Sequence, residues 1–276
     1  MKKSKLNSQW TFDPRRPSLS DYPALAKDLS ALSLDDDLKD IGEYQRRLWA
    51  NRKHALLLVV HGLDASGKDS LIRTLATWMD PTAFHAWSFG RPEGDEVRHD
   101  FLWRVVPYLP AYGEVVAFNR SHHEAVMAER LWPVRDESTY DWHSRYGSIR
   151  AFERHLVDEG TTIIKCWLHL SRDEHRKRLR KRLTKSRKIW KFHESDIDAW
   201  EKRDTLLAYA SEAIAATSTD TAPWLIIPAD DKKQARTLVA AIVAEQLRRL
   251  APDYPAEDKG VLKIYRELLD ADLSDG

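Results

Sequence analysis

The chain has 276 residues, enough for one large α/β domain with a sizeable buried core. Its composition, 42% apolar and 32% charged, is that of an ordinary globular protein, and its apolar runs, such as Ala55 to Val60, are far too short for a spanning helix, which needs ~20 residues. A single cysteine, Cys166, excludes an intrachain disulfide and predicts a reducing, cytoplasmic setting, while the net charge of +1 says nothing about partners until it is resolved along the chain.

Residues 1–35 read as an N-terminal arm. Its first part carries Pro/Arg turns and no periodicity, with Trp10 and Phe12 as pins. Leu38, Ile41, Tyr44, Gln45 and Leu48 then recur at helical spacing and lead into a strand from Leu56 to Val60. That strand ends at Gly62, and Gly67-Lys68 complete the spacing Gly-x4-Gly-Lys before a helix over about 67–79, stopped at Asp80-Pro81. Strand before and helix after is the context in which this spacing makes a phosphate-binding P-loop. Gly62, Ala65, Ser66, Gly67, Lys68 and Asp69 are its expected members, with Lys68 as the point charge on phosphate. A carboxylate inside such a loop is costly unless it meets a cation. Asp64 is therefore expected as a Mg²⁺ or water-shell ligand, and Asp69 as the substitute for the usual Ser/Thr ligand. A solvated first-turn carboxylate favoured by the helix dipole is the alternative for Asp69.

Phe84 to Phe89 predicts a second strand, and Val97, Phe101, Leu102 and Val105 one side of a helix ending near Pro107. Glu114 to Phe118 predicts a third strand, with Asn119-Arg120-Ser121 at its carboxyl end opening a further helix. Ligands of parallel sheets collect at such ends, so Arg120 is aimed at phosphate and Asn119 at metal-bound water, with Ser121 as a cap. His122 and His123 would diverge by ~100° on a helix, which argues against a metal site. A helix over 140–159, a strand from Thr161 to Leu170 with Cys166 as a packed thiol, and a capping box at Ser171-Arg172-Asp173-Glu174 follow. A cap at Ser195 with Asp198 opens a helix to Thr217, followed by a strand over 223–228, a helix over 231–250 and a last short helix around 260–270. Strands alternating with helices predict a five-stranded parallel sheet covered on both faces. One domain over 36–250 and a helical tail over 251–276 complete the expected organisation.

Between Arg172 and Lys191 stand eleven basic residues and two acidic ones, a local charge of +9 in a chain whose total is +1. Repulsion between Arg176 and Arg180 and between Lys177 and Lys181 opposes this helix in isolation, and only Leu179 and Leu183 offer an apolar seam. A solvated face, an RNA-binding surface, or a lid closing on a polyanion longer than one nucleotide would each fit. No stacking aromatic appears before Trp190 and Phe192, which disfavours RNA.

The loop Gly62-Leu63-Asp64-Ala65-Ser66-Gly67-Lys68-Asp69, His99 to Arg104 (His-Asp-Phe-Leu-Trp-Arg), Phe118-Asn119-Arg120-Ser121-His122 and Trp190-Lys191-Phe192 resemble, in this order, the polyphosphate kinase 2 family. Thr217 to Asp220, Ala222-Pro223-Trp224 and Pro228 to Lys232 extend the resemblance, which runs from about Leu48 to Leu247. It implies a P-loop kinase-like three-layer sandwich with a basic helical lid over about 171–194, Mg²⁺, and a homo-oligomer, dimer or tetramer. The implied reaction moves phosphoryl groups between inorganic polyphosphate and nucleotides, with no nucleic-acid or membrane partner. By position, Asp64 would organise metal and acceptor phosphate, Lys68 would hold the transferred group, and Arg120 would contact phosphate. Arg178 and Arg182, with Lys185, Lys188 and Lys191, would close over the polyphosphate, and Arg91, Glu124 and Arg145 would lie on the nucleotide side. Asn119, with the Lys68-Asp69 pair, resembles the subgroup acting on both mono- and diphosphates, AMP/ADP or GMP/GDP. Gly90-Arg91 and His123-Glu124-Ala125 depart from that subgroup's usual Lys-Ala and Tyr-Glu-Asp, and Ser70 replaces a common glycine; these bear on nucleotide preference. An ATP-dependent P-loop kinase and a non-catalytic polyanion- or RNA-binding P-loop protein are the competing readings.

Overall fold

The computed structural model describes residues 6–184, 189, 192, 194–251 and 253–272. Five strands, β1 (Ala55–Gly62), β2 (Phe84–Ser88), β3 (Val115–Asn119), β4 (Thr161–His169) and β5 (Trp224–Pro228), form one sheet in the order β2-β3-β1-β4-β5. Every pairing is parallel. The helices of more than one turn and a half are α1 (Leu34–Asn51), α2 (Lys68–Leu75), α3 (Trp142–Asp158), α4 (Arg172–Thr184), α5 (Glu194–Glu201), α6 (Arg203–Thr217), α7 (Lys232–Leu250) and α8 (Lys259–Asp272).

β1 shows why the apolar run is continuous rather than alternating. Successive side chains point to opposite faces, and both faces are covered. Leu56, Leu58 and Val60 enter a core with Ile41 and Leu48 of α1, Leu71 and Leu75 of α2, and Leu238 and Ile242 of α7. Leu57 and Val59 enter a second core with Ile149 of α3, Ile214 of α6, and Phe12, Leu19 and Tyr22 of the arm. The arm is thus packed: the Phe12 amide donates to the Trp224 carbonyl at 2.8 Å, and Thr11 bridges Leu225 at the β5 edge. No helix among the described residues is long and apolar enough to cross a membrane. Cys166 lies in the core of β4, where burial pushes its thiol up to about 12.

Three expected helices differ. The segment after Gly94 forms two short 3-10 helices, Gly94–Arg98 and Val106–Tyr108, because the Asp100 carboxylate takes the Leu102 and Trp103 amides and Pro107 has none to give. The segment after Ser121 is likewise 3-10, over His122–Val126 and Ala128–Arg130. Ser195 is inside α5 instead of capping it, and the chain breaks at Lys202 before α6.

β4 carries one charge into the interior. Lys165 Nζ lies 2.5 Å from Glu153 Oε2 of α3 and donates to the Thr217 carbonyl at 2.8 Å. The other Glu153 oxygen faces His123 Nε2 at 2.8 Å and His122 Nε2 at 3.3 Å. Burial alone would raise Glu153, but Lys165 and His123 hold it well below the ordinary carboxylate range. Removing one partner leaves the other charge buried and unpaired, so Glu153→Leu should destabilise the fold by ~3–5 kcal/mol in urea denaturation. A loss below ~1 kcal/mol would show that Lys165 finds another partner or water.

Candidate functional site

The loop between β1 and α2 is shaped by backbone that few side chains tolerate. Gly62 has φ +142°, and a Cβ there would stand 2.8 Å from the Leu168 carbonyl oxygen and 2.9 Å from Ser66 Oγ. Gly67 caps α2 at φ +114° and offers no side-chain oxygen, so the first amides of α2 keep their donors for an anion. Ala65 and Arg120 are both left-handed, at φ +60° and +63°. Such strain in non-glycine residues persists only where the surroundings over-determine it. The Arg120 amide donates to the Val60 carbonyl at 2.9 Å, which ties the end of β3 to the end of β1.

That tie brings the charges together. Arg120 Nη2 stands 2.5 Å from Asp64 Oδ1, and its Nη1 is 3.9 Å from Glu124 Oε2. Burial would raise Asp64, yet Arg120, Lys68 and Arg182 bring it down to about 2. Glu124 is likewise lifted by burial but held below its usual value by Arg120 and His61. Arg120 is raised by the two carboxylates. Lys68 is buried, with Nζ donating to the carbonyls of Gly62 at 2.9 Å and Leu63 at 3.1 Å. Burial and then Arg120 pull it down to about 8. Two carboxylates and two cations thus meet where the loop ends.

Asp64, Arg120 and Glu124 line a cleft of about 430 Å³. Its lining combines the loop and turn residues Gly62, Asp64, Arg91, Arg120 and Glu124 with the apolar Met127, Trp132, Trp167, Leu206 and Ala210, and with Glu129, His175, Ser195 and Asp198. Trp132 Nε1 donates to Asp198 of α5 at 2.5 Å and so joins the turn after β3 to the far wall. None of the apolar lining residues stands out in the sequence, because each is ordinary until the fold gathers them. Arg91 lines the cleft and donates to the Pro133 carbonyl at 3.0 Å.

Asp69 faces elsewhere. It accepts from Asn119 Nδ2 at 2.9 Å, and both line a second hollow of about 280 Å³ with Arg73, Trp87 and Ser88. The expectation that Asp64 and Asp69 act as a joint ligand pair is corrected accordingly: they open onto different hollows. Ser70, beside them, donates to the Gly67 carbonyl. Among the described residues, the group of three candidate metal ligands within 4.8 Å of one another is His122, His123 and Glu153. The expected divergence of the two histidines fails because the 3-10 turn aims both rings at Glu153. Lys165 already neutralises that carboxylate, so the cluster is a closed ion pair. Asp64, ionised and about a third exposed at the cleft, has the chemistry of a Mg²⁺ ligand whose shell phosphate oxygens and water would complete.

Two further expectations are corrected. Arg178 does not face the cleft. It is buried, paired with Glu174 at 2.8 Å, and its remaining donors reach the carbonyls of Ala65, Ser66, Ala229 and Asp230. It is a strut between α4, the loop and the end of β5. Arg145 is also engaged, donating to the Ala125 carbonyl and Glu129 and lying against Tyr140, so it buttresses the wall from behind. Arg182 pairs with Asp196 of α5 at 2.8 Å. Lys185, Lys188 and Lys191 lie outside the described residues.

A family model described as polyphosphate kinase 2 matches residues 25–254. An AMP/ADP-polyphosphate phosphotransferase of Meiothermus ruber is 37% identical over 269 residues, 97% of this chain and 100% of that protein. An ADP-polyphosphate phosphotransferase of Rhodopseudomonas palustris is 36% identical over 250 residues, covering 86% of each chain. The crystal structure of polyphosphate kinase 2 from Arthrobacter aurescens superimposes with a TM-score of 0.82 at 32% identity, over 94% of this chain and 91% of that one.

The depressed Lys68 predicts a pH dependence. Below about 8 its ammonium is present to attract phosphate; above that value it is lost, so affinity falls as pH rises. Calorimetric titration with tripolyphosphate from pH 6.5 to 9.5 should show an affinity falling by up to ~10-fold per pH unit above the break, and Lys68→Arg should flatten the limb. An unchanged limb in Lys68→Arg would assign it to another group.

Proposed function

Because the chain belongs to the polyphosphate kinase 2 family, its activity is phosphoryl transfer between inorganic polyphosphate and a nucleotide, and we propose that the transfer occurs at the Asp64–Arg120 end of the cleft, with AMP and ADP as acceptors. The observation that carries this assignment is the meeting of Asp64, Arg120 and Glu124 at a cleft that apolar side chains also line, with Lys68 buried against the Gly62 and Leu63 carbonyls. Phosphates suit the charged groups and a base suits the apolar ones.

In the forward direction an oxygen of the nucleotide's terminal phosphate attacks the terminal phosphorus of the polyphosphate. The bridging P–O bond breaks, and the polyphosphate leaves one unit shorter. The attacking oxygen is already ionised near neutral pH, so positioning and charge neutralisation supply the catalysis. Gly62 to Lys68 form the phosphate-binding loop, Lys68 and Arg120 balance charge on the transferred group, and Asp64 orients Arg120. Asp64 would hold Mg²⁺, which would supply further neutralisation of phosphate charge. Asn119 holds Asp69 at the mouth of the second hollow, which supports a passage for the polyphosphate on the α2 side. The basic segment over about 171–194 would act as its lid. The exposed apolar side chains of α8, Ile264, Tyr265, Leu268 and Leu269, support self-association.

The test is to offer AMP and ADP separately with polyphosphate and Mg²⁺ and to resolve the products by chromatography. ADP and ATP should form, and Lys68→Ala or Asp64→Ala should lower kcat/KM by ~10²-fold or more. Turnover supported by ATP and a small acceptor without polyphosphate, or full activity in both variants, would overturn the proposal.

A further inference from the structure

β1 places a polar side chain, His61, directly before the loop and on the same face as Leu57 and Val59. It is 1% exposed, lies edge-on to the rings of Trp224 and His123, and has no route to solvent that would explain it as a surface group. Both ring nitrogens have partners. Nε2 is 2.9 Å from Ser121 Oγ, and Nδ1 is 3.3 Å from Glu124 Oε1. Neither contact belongs to the loop, but both belong to the turn that carries Arg120.

The chemistry of the partners fixes the tautomer. Glu124 is ionised and can only accept, so Nδ1 must carry the proton. Ser121 Oγ already accepts the His123 amide at 3.2 Å and keeps its own hydrogen to donate to Nε2. A second proton on the ring would place an imidazolium in the interior beside Lys68 and His122, which burial opposes. The ring is therefore a neutral linker that donates at one end and accepts at the other.

We infer that His61 is a positioning residue for phosphoryl transfer: through its Nδ1–H it holds the Glu124 carboxylate against Arg120, so that this guanidinium is gripped from both sides. Arg120 has Asp64 at 2.5 Å on one side and Glu124 at 3.9 Å on the other. Without the His61 donor, Glu124 keeps no partner on its inner oxygen and can swing to take Arg120 away from Asp64. His61 does not touch substrate. This inference rests on the reading of the Asp64–Arg120 end as the reaction site, but the tautomer it requires does not.

The experiment therefore has two arms. The first is long-range ¹H–¹⁵N correlation of the ring nitrogens in the whole protein without substrate, with His61 assigned by its absence in His61→Asn. The Nδ1–H tautomer is expected; the Nε2–H tautomer or an imidazolium at pH 7 would overturn the inference whatever the activity. The second compares His61→Asn, whose amide nitrogen falls near Nδ1, with His61→Gln, whose amide falls near Nε2. His61→Asn should keep kcat within ~3-fold, while His61→Gln should lower kcat by ~10-fold or more with the nucleotide KM little changed. In a Glu124→Gln background His61→Gln should add nothing further. Equal losses in the two variants at equal Tm, or a full additional loss in the Glu124→Gln background, would show that the ring acts by packing alone. Absence of polyphosphate-dependent turnover in the unsubstituted protein would remove the functional reading and leave the tautomer arm to stand or fall by itself.

Discussion

The hydrogen bond from the Arg120 amide to the Val60 carbonyl extends the β1–β3 pairing one residue past Asn119, the end of β3, and it decides where every charge of the site goes. It turns Arg120 into a left-handed conformation that a free chain would avoid, so its guanidinium returns toward the loop instead of pointing along the strand. The loop is bent to meet it by Gly62, where the Leu168 carbonyl leaves no room for a Cβ. Asp64 then faces Arg120 across the gap between two strand ends, and Lys68 is buried beneath both. The sheet order makes this possible, since β1 lies between β3 and β4 and presents its loop where ligands of parallel sheets bind.

Around that gap the interior is charged on purpose and balanced locally. Behind Arg120 come Glu124, then His61 and Ser121, then His123, Glu153 and Lys165, each residue with a polar contact to another. Single losses in such a chain are costly, because a remaining charge has no water to turn to. The described part of the +9 segment follows the same logic. Arg172, Arg176, Lys177, Arg178 and Arg182 each have a carboxylate partner, and Arg178 binds five groups that hold the loop in place. Arg180 and Lys181 of α4 are exposed.

Much of this was legible in the residues. Near-continuous apolar runs marked β1, β3, β4 and β5, because a strand buried on both faces has no alternation to hide it, whereas β2 is short and largely uncovered. The glycine spacing, with its strand and helix, marked the loop, and Asn119-Arg120 at a strand end marked its partner. What could not be read was what depends on distant packing. A count of charges does not say which are neutralised, so Arg178 and Arg145 read as ligand groups while the fold uses them as struts. A helical period at Val97 to Val105 does not reveal that Asp100 will take the amides. His61 and Lys165 did carry a signal, a single polar letter inside an apolar strand, which marks a buried partner without naming it.

The central claim is that Asp64 and Arg120 act as one unit at the junction of β1 and β3. A double-mutant cycle on kcat/KM with polyphosphate and ADP, using Asp64→Asn, Arg120→Met and the pair, measures that directly. If the two are one unit, the double variant should be about as impaired as the worse single one, with a coupling energy of ~1.5 kcal/mol or more. Losses that simply add would mean that the two side chains serve the reaction separately, and would contradict the account.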